Sequence, residues 1–246
     1  MVEKEPAGAK PADSSGLPSP GLSVAGIDGC RAGWVMVRRD GAGRFEPPLV
    51  VTALDDLPAT DMIVIDIPIG LPESGRRACD LEARAMLGKR RSSVFTGVRR
   101  PLLAMTSYEA ANAWGKRDGE GLTRQMWNIL PKIREVDDWI TPSRSPIFRE
   151  GHPELAFAGV SGRPMAHYKK TPEGEAERLD ALAGFIDRAT VLEWLDGARG
   201  SGAARDDIVD ALALCRSAAR VVLGCHGQLP ADPPKDARGL PMEMVF

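Results

Sequence analysis

The run Asp-Met-Ile-Val-Ile-Asp-Ile at residues 61–67 constrains the fold of this chain more than any other feature of its sequence. It is nearly all apolar, and Pro68 follows it directly. A short run of this kind is typical of a strand that is buried on both faces. Such a strand belongs at the centre of a mixed sheet, and a proline after it places Asp66 near the strand's carboxyl end.

Three shorter strand patterns precede this run, at residues 23–28, 34–39 and 48–53, with turn residues between them. Their close spacing predicts an antiparallel meander. A fifth strand is predicted at residues 145–151, and we expect the fourth and fifth strands to run parallel to the first. The sequence therefore predicts an α/β domain with a five-stranded mixed sheet, three antiparallel strands and then two parallel ones, flanked by helices.

Helical patterns occupy most of the remaining sequence. Apolar residues recur at alternating spacings of four and three from Leu122 to Ile140, and Pro131 interrupts this stripe, so we expect a kink or two helices there. Residues 173–195 form another helical stretch with a break predicted near Thr190. The last helix is predicted over residues 206–223, and an earlier one over residues 79–87, which contain good helix formers.

The chain divides into three predicted parts. Residues 1–21 are rich in Pro, Ala, Gly and Ser and lack bulky apolar side chains, which predicts a disordered tail. Residues 22–226 form the folded domain, with a helical insertion over residues 70–144 between the fourth and fifth strands. Residues 227–246 contain several prolines and are predicted to be irregular.

Composition excludes several classes of protein. The 246-residue chain has a formal net charge of −2, which argues against a purely electrostatic nucleic-acid binder while allowing a local basic patch. No apolar run approaches the ~18–20 residues of a membrane span, so no membrane partner is expected. The four cysteines are scattered without a Cys-x-x-Cys motif, which argues against a disulfide framework or a zinc site and favours a reducing, cytoplasmic location.

Acidic residues stand at the ends of two predicted strands. Asp28 ends the first strand, a position that suits either a site at the sheet edge or the cap of a turn. Asp66 lies among isoleucines in the fourth strand, where an unpaired buried carboxylate is costly. We therefore expect Asp66 to have a partner such as a metal ion, a cation or backbone donors, unless it faces solvent at an edge strand.

Further acids lie near the start of two helices. Asp207 and Asp210 share one face of the last helix, and Asp210 is too far into the helix to act as a cap. Glu154 follows Pro153 and suits both an ordinary first helical turn and a site, so both interpretations stay open.

Several carboxylates at one sheet edge bind Mg²⁺ or Mn²⁺. Two such ions ~3.5–4 Å apart activate water and stabilise the leaving oxygen of a phosphodiester.

Four segments together resemble a known family. They are VAGIDGCRAGWVMV from Val24, VIDIPIGLP from Val64, KIREVD from Lys132 with His-Pro-Glu after it, and DDIVDALAL from Asp206. This series, in this order over about residues 22–225, resembles domain-of-unknown-function family 429. Members of that family are regarded as predicted nucleases of the ribonuclease H-like superfamily. The last-helix motif is also similar to that of Holliday-junction resolvases.

The resemblance implies a ribonuclease H-like fold and a metal-dependent nuclease, a hydrolase that cuts phosphodiesters with two Mg²⁺ or Mn²⁺ ions. It implies that the products carry 5′-phosphate and 3′-hydroxyl ends. The implied metal ligands and catalytic residues are Asp28, Asp66, Asp207 and Asp210. Glu154 belongs to the family's His-Pro-Glu motif and joins the candidate catalytic residues.

Basic residues predict contacts with a phosphate backbone. The segment of residues 89–100 contains five basic residues and no acid, and the alternative interpretation is a solvated loop. Arg31 lies three residues after Asp28, within reach of a phosphate bound there. The predicted substrate-binding residues are Arg31, Lys89, Arg90, Arg91, Ser93 and Lys169.

Three functions remain open from the sequence. The favoured one is the nuclease, with DNA or RNA as its partner and with both a monomer and a homodimer allowed. The second is a non-catalytic module of the same fold that binds nucleic acid or protein. The third is a nucleotide-binding enzyme related to actin and sugar kinases. The chain is short for that fold and shows no second glycine-rich phosphate hairpin, which argues against the third.

Overall fold

The main sheet contains five strands in the order β3-β2-β1-β4-β5 within residues 21–246, which are the residues that this computed structural model describes. Strands β1 to β3 are antiparallel neighbours, whereas β4 and β5 run parallel to β1. The predicted tail over residues 1–21 lies outside this range apart from Gly21. The strands are β1 (Val24–Cys30), β2 (Gly33–Arg39), β3 (Leu49–Val51), β4 (Met62–Ile65) and β5 (Phe148–Glu150).

Helices cover both faces of this sheet, which confirms the predicted α/β class and the mixed sheet. They are α1 (Ala78–Leu87), α2 (Tyr108–Arg117), α3 (Arg124–Trp139), α4 (Pro153–Ser161), α5 (Pro172–Leu182), α6 (Arg188–Gly197) and α7 (Arg205–Val222). Short 3₁₀ helices span Leu54–Asp56, Gly88–Ser93 and Arg100–Ala104. No helix of the described residues is long and apolar enough to cross a bilayer.

The sheet separates two hydrophobic cores. Along β4, Met62 and Val64 face a core formed with α4, α5, α6 and α7, while Ile63 and Ile65 face a core formed with α2 and α3. All four side chains are buried. A strand with two buried faces cannot alternate apolar and polar residues, and this explains the continuous apolar run in the sequence.

Helix α3 continues through Pro131 as one helix, so two separate helices do not form. Its buried stripe of Met126, Leu130, Ile133 and Val136 lies on both sides of the proline and packs in the same core. The tertiary packing along this stripe offsets the hydrogen bond that a proline removes from the helix.

Helix α7 packs closely on β1 because Gly26 has no side chain. A Cβ atom at Gly26 would overlap the carbonyl oxygen of Ala211 and the amide nitrogen of Cys215. This close approach brings the first turns of α7 next to the carboxyl end of β1. The helix ends before Gly224, whose φ of 68° is the left-handed conformation that favours glycine after a helix.

The segment of residues 227–246 differs from the predicted irregular tail at its two ends. Strands β6 (Gln228–Leu229) and β7 (Met244–Val245) pair antiparallel, and Val245 forms a bridge with Gly151 beside β5. Leu240, Met244 and Val245 are buried. These apolar side chains lie among prolines and polar residues, so no period-2 pattern marks them, and contact with the domain orders them.

Candidate acidic site at the sheet edge

Asp28 and Asp66 lie side by side at the carboxyl ends of two parallel strands. Ile27 pairs with Ile65 in the register of β1 and β4, and the Asp66 N–H donates to the Ile27 carbonyl at 3.0 Å. Asp28 is 8% exposed, and its Oδ1 accepts from the Gly29 N–H at 2.7 Å. Asp66 is half-buried. The strand ends therefore bring two carboxylates to one edge, as their positions in the sequence predict.

Asp210 joins them from α7, and a lysine neutralises it. Asp210 is 2% exposed, and its Oδ2 accepts from Lys169 Nζ at 2.5 Å. The same ammonium group is 3.4 Å from Asp206 Oδ2, and Lys169 lies in the loop that leads into α5. Burial acts to lower the pKa of Lys169, but the neighbouring carboxylates of Asp210 and Asp28 outweigh it and raise that pKa, so the side chain stays charged.

Charge repulsion links the acids into one site, which we call the aspartate cluster: Asp28, Asp66, Asp207 and Asp210. Burial raises the pKa of Asp28 well above its ordinary value, and repulsion from the other three members raises it further. Burial also raises the pKa of Asp66, against the opposing effect of nearby His152 and Lys169. Burial raises the pKa of Asp210 to about 6, although Lys169 acts to lower it. The cluster therefore favours protons or a cation close by.

Asp207 stands at the margin of the cluster. Its Oδ2 accepts from the Ala204 N–H at 2.8 Å, so this carboxylate also caps the first turn of its own helix. Burial raises the pKa of Asp207, and its charge contributes to the raised pKa of Asp28. Asp207 is thus both a cap of its own helix and a member of the aspartate cluster.

Glu154 lies in the first turn of α4 and within electrostatic range of Asp66, whose pKa it raises. Its Oε1 accepts from Nη2 of the buried Arg178 at 2.5 Å, whereas its buried Oε2 has no hydrogen-bond partner within residues 21–246. Arg178 also donates to the carbonyls of His167 and Gly174, at 3.3 and 3.0 Å. This arginine thereby fixes the loop that carries Lys169.

The oxygen donors of the cluster suit a hard divalent cation by their chemistry. Among residues 21–246, however, no group of three or more His, Cys, Asp and Glu side chains is arranged to hold a metal ion. Two hydrogen bonds direct carboxylates of the cluster toward other partners. Asp210 is engaged by Lys169, and Asp207 is engaged by the Ala204 N–H. In this arrangement the ammonium group of Lys169 partly balances the negative charge of the aspartate cluster.

A cavity of about 210 Å³ opens beside Asp28 and Asp66. Behind it lies a buried ion-pair group in which Arg77 binds Glu150 through two hydrogen bonds, at 2.6 and 2.7 Å, and Asp80 at 2.5 Å. Lys132 from α3 also lines the cavity; its ammonium group donates to the Gly33 carbonyl and lies 4.2 Å from the ring centroid of Trp34. Burial lowers the pKa of Lys132.

Of the predicted substrate-binding residues, Arg31, Lys89 and Arg91 do not line the cavity. Arg31, Lys89 and Arg91 are exposed. Arg90 instead donates to the carbonyls of Met165 and Ala166, at 3.0 and 2.9 Å, and so holds a loop. Ser93 lines the cavity, but its hydroxyl donates to the Arg90 carbonyl. Lys169 contacts the acids themselves, as described above.

The basic segment of residues 89–100 is not one continuous positive patch. Arg99 is completely buried, and it donates to Asp118 Oδ2 at 2.8 Å and to the Glu120 carbonyl at 2.6 Å. Arg100 forms ion pairs with Asp137 and Asp236. Acids that are distant in the sequence neutralise both arginines, so only the first part of the segment leaves exposed cations.

Sequence reasoning missed several residues of this site: Arg77, Lys132, Glu150 and Arg178. Glu150 carried a usable signal, since it is an acid at the last position of β5, much as Asp28 lies two residues before the end of β1. The three cations gave no such signal: Arg77 lies just before a predicted helix, whereas Lys132 and Arg178 lie within helical patterns, and basic residues at such positions are usually solvated. Each has a partner far away in the sequence, namely Glu150 for Arg77, the Gly33 carbonyl for Lys132 and Glu154 for Arg178.

The comparisons with known proteins concern this same part of the chain. A family model described as "Protein of unknown function (DUF429)" matches residues 26–235, which include the aspartate cluster, Glu154 and the residues that line the cavity from β1, β4 and β5. Neither the curated proteins nor the solved structures give a match. Because the matched region covers most of the 246 residues, the chain belongs to the DUF429 family.

Proposed function

We propose that this protein is a metal-dependent nuclease that hydrolyses nucleic-acid phosphodiesters. The observation that carries the proposal is the aspartate cluster, in which burial and mutual repulsion raise the pKa of Asp28 at the end of a central strand. Buried carboxylates that repel one another are destabilising unless a cation binds them. The mixed strand order supports a ribonuclease H-like assignment as part of the same proposal.

The chemistry of the donors fits Mg²⁺ or Mn²⁺, because both cations prefer carboxylate oxygens. The four members of the aspartate cluster would hold one or two such ions, with Glu154 as a further donor through its unpartnered Oε2. Bound by these carboxylates, a divalent cation would supply Lewis-acid activation of water and of the phosphate group.

The protein's own side chains have distinct tasks in this proposal. Asp28 and Asp66, fixed by the ends of β1 and β4, orient the reacting groups at the sheet edge. Lys169 holds Asp210 in place and neutralises its charge before substrate arrives. Once released from Asp210, its ammonium group is free to bind a phosphate oxygen. Exposed Lys89 and Arg91 are the candidates for contacts with the flanking backbone.

A cleavage screen tests this function. Single-stranded, duplex, hybrid and branched nucleic acids are incubated with the wild-type protein and either Mg²⁺ or Mn²⁺. We expect cleavage of at least one substrate by the wild type and none by Asp28→Asn or Asp210→Asn, because asparagine keeps the size but removes the charge. Asp138→Asn, at an exposed position of α3, is the matched control and should retain activity. A wild type that cuts no substrate with either ion would refute the proposal.

A second candidate function is a nucleic-acid-binding module without catalysis. The ion pair between Lys169 and Asp210 favours it, because this pair already compensates one buried carboxylate without a metal ion. Binding of the same nucleic acids, without cleavage and without any shift of the thermal melt by Mg²⁺ or Mn²⁺, would support the second candidate instead.

A further inference from the structure

Lys132, the first residue of the KIREVD segment, lines the cavity and forms no ion pair with a carboxylate of residues 21–246. Arg77, the other long cation of the wall, is already occupied. All three nitrogens of its guanidinium donate to two carboxylates or to the Ile69 carbonyl. The ammonium group of Lys132 binds only the Gly33 carbonyl within the same residues. The side chain is half-buried, so this charge is accessible to an anion in the cavity.

Contacts on several sides hold Lys132 in place. Its ammonium group lies 4.2 Å from the ring centroid of the completely buried Trp34, whose indole N–H donates to Glu135 Oε1 at 3.0 Å. The aliphatic stem passes Gly29, where an added Cβ atom would lie 3.2 Å from Lys132 Cδ. Because an ammonium group has three N–H donors, the Gly33 carbonyl and the ring of Trp34 leave at least one donor for a ligand.

The positive charge of Lys132 lies within electrostatic range of the aspartate cluster. Burial lowers the pKa of Lys132, whereas Asp28, Asp207 and other acidic groups around it act to raise that pKa. Lys169 differs, because it contacts Asp210 directly. A cation that stands near the cluster without pairing with it weakens the binding of a divalent cation to the same carboxylates. An anionic ligand between the two positive charges removes that penalty.

We infer that Lys132 binds a non-bridging oxygen of a phosphate group in the cavity, and that this contact helps to select a phosphodiester as substrate. Asp28 and Asp66 line the same cavity, so a phosphate held by Lys132 lies beside the carboxylates that would bind the metal ions. A hydrogen bond between an ammonium group and a phosphate oxygen is charge-assisted and therefore strong. This inference rests on the proposed nuclease function, because it names a substrate contact of that same site.

The test compares two small ligands on the full-length chain by NMR titration. The dinucleotide thymidylyl-thymidine contains one charged phosphodiester, and its methylphosphonate analogue contains an uncharged group of nearly the same shape. Ca²⁺ is present, because it takes the same oxygen ligands as Mg²⁺ and offsets the charge of the cluster. We expect the wild type to bind the dinucleotide at least tenfold more tightly than the analogue.

Lys132→Met keeps most of the stem and removes the charge. It should bind the dinucleotide about tenfold more weakly than the wild type does, which is the effect of one lost hydrogen bond between charged groups. Its affinity for the methylphosphonate analogue should stay unchanged. Lys116→Met, at an exposed position of α2 outside the cavity, is the matched control and should alter neither affinity.

A lysine that only fastens α3 to the hairpin of β1 and β2 gives a different result. Loss of its contacts with Trp34 and Gly33 would weaken both ligands by the same factor. An equal loss for the two ligands, or no loss, in Lys132→Met therefore overturns the inference. A wild type that binds neither ligand, or binds both equally, overturns it as well.

A measurement on the wild type alone covers the case in which Lys132→Met does not fold. Lysines are acetylated with acetic anhydride and quantified by mass spectrometry. We expect the dinucleotide to slow acetylation of Lys132 about tenfold and the analogue to have no effect, with Lys116 unprotected by either. A Lys132 that stays unprotected, or that is unreactive without ligand, overturns the inference. Equal protection by inorganic phosphate at the same concentration identifies a free phosphate ion as the ligand and also overturns it.

The cleavage screen separates this failure from failure of the nuclease function. Cleavage by Lys132→Met with an unchanged KM would leave the nuclease standing and remove the Lys132 contact alone. Dinucleotide binding that depends on Lys132, in a protein that cuts nothing, would retain the phosphate site within a non-catalytic module.

Discussion

Asp28 shows how a single side chain can lower stability in order to support a site. Its carboxylate is buried, it accepts one hydrogen bond from the backbone of Gly29, and three other aspartates repel it. Nothing comparable holds for Asp138, an exposed acid on α3. The free energy of unfolding should therefore respond to the charge of Asp28 and hardly at all to that of Asp138.

We predict that Asp28→Asn raises the stability of the metal-free protein at pH 7 by on the order of 1 kcal/mol, because asparagine needs neither a buried, repelled charge nor the uptake of a proton on folding. The pKa of Asp28 is raised in the folded state, so the folded protein keeps a proton that the unfolded chain releases. The contribution of Asp28 to wild-type stability is therefore greatest below about pH 4, and it is lost as the pH rises through the raised pKa.

Thermal melts of both proteins between pH 4 and pH 8 check this prediction. Asp210, whose pKa is raised to about 6, also makes stability fall as the pH rises over about pH 4–6, and it is present in both proteins. The difference between the two curves therefore reports Asp28 together with its coupling to the other members of the aspartate cluster. Identical pH dependence of the two melting temperatures would show that Asp28 is an ordinary turn cap.

Lys169 and Lys170 provide a matched pair at the aspartate cluster. Lys169 binds Asp210 directly, whereas exposed Lys170 lies 3.7 Å from Asp206. We predict that Lys169→Met increases the affinity for Mn²⁺ about tenfold, because the ion no longer competes with an ammonium group, and lowers metal-free stability. Lys170→Met should change neither quantity by more than experimental error. Titration calorimetry with Mn²⁺ measures the affinity, and unchanged Mn²⁺ binding in Lys169→Met would contradict the prediction.

At the level of secondary structure, the packing of α7 on β1 positions the cluster. Asp210 reaches the end of β1 only because Gly26 lets the helix backbone approach the strand. A similar dependence joins α4 to α5, where buried Arg178 binds Glu154. Both contacts hold neighbouring elements together, so their loss should first appear as a loss of stability.

We predict that Gly26→Ala destabilises the protein by at least about 3 kcal/mol, because the new methyl group overlaps backbone atoms of α7 that cannot move independently. Gly197→Ala at the end of α6 is the control, since its added methyl group meets no atom within 4 Å. It should be neutral or stabilise by up to about 1 kcal/mol. Urea unfolding of both variants gives the comparison, and equal midpoints would refute the proposed role of Gly26.

We also predict that Arg178→Met costs about 3–5 kcal/mol, because it leaves the Glu154 carboxylate buried without a cation. The double variant with Glu154→Gln should recover part of this loss, since no buried charge then remains. Urea unfolding of the two single variants and the double variant measures the coupling. Additive effects would mean that the two side chains act independently.

For the whole molecule, the arrangement of charge matters more than the net charge of −2. Arg99 and Arg100 are neutralised internally, whereas Lys89 and Arg91 stay exposed in the segment that leads to Ser93 and Phe95 of the cavity wall. The exposed basic surface is therefore smaller than the sequence suggests.

We predict that the double variant Lys89→Glu/Arg91→Glu weakens nucleic-acid binding and flattens its salt dependence. Each lost phosphate contact removes about 0.7–0.9 from the slope of log K against log salt concentration. The same reversal at Lys116 and Arg117, exposed at the end of α2 away from the cavity, is the control. Filter binding across a salt series measures both slopes. An unchanged slope in Lys89→Glu/Arg91→Glu would show that this part of the segment of residues 89–100 is a solvated loop without contact to nucleic acid.

The sequence by itself determined the sheet and the position of its acids. The apolar run of β4 and the short strands before it are local patterns, and parallel strands that end together bring Asp28 and Asp66 to one edge without further information. The apolar stripe of α3 likewise predicted a buried helix, although the proline within it left the number of helices open until the packing was known.

Only the tertiary structure decided which charges meet. Lys169 lies 41 residues from Asp210, and Arg100 lies 136 residues from Asp236, so no local pattern links either pair. The same limit hid Arg178, Lys132 and the cavity, since burial of a polar group depends on every element packed round it. Hydrophobic periodicity is a property of a single helix or strand, whereas charge compensation is a property of the assembled fold. For that reason the sequence located the acids but not their partners.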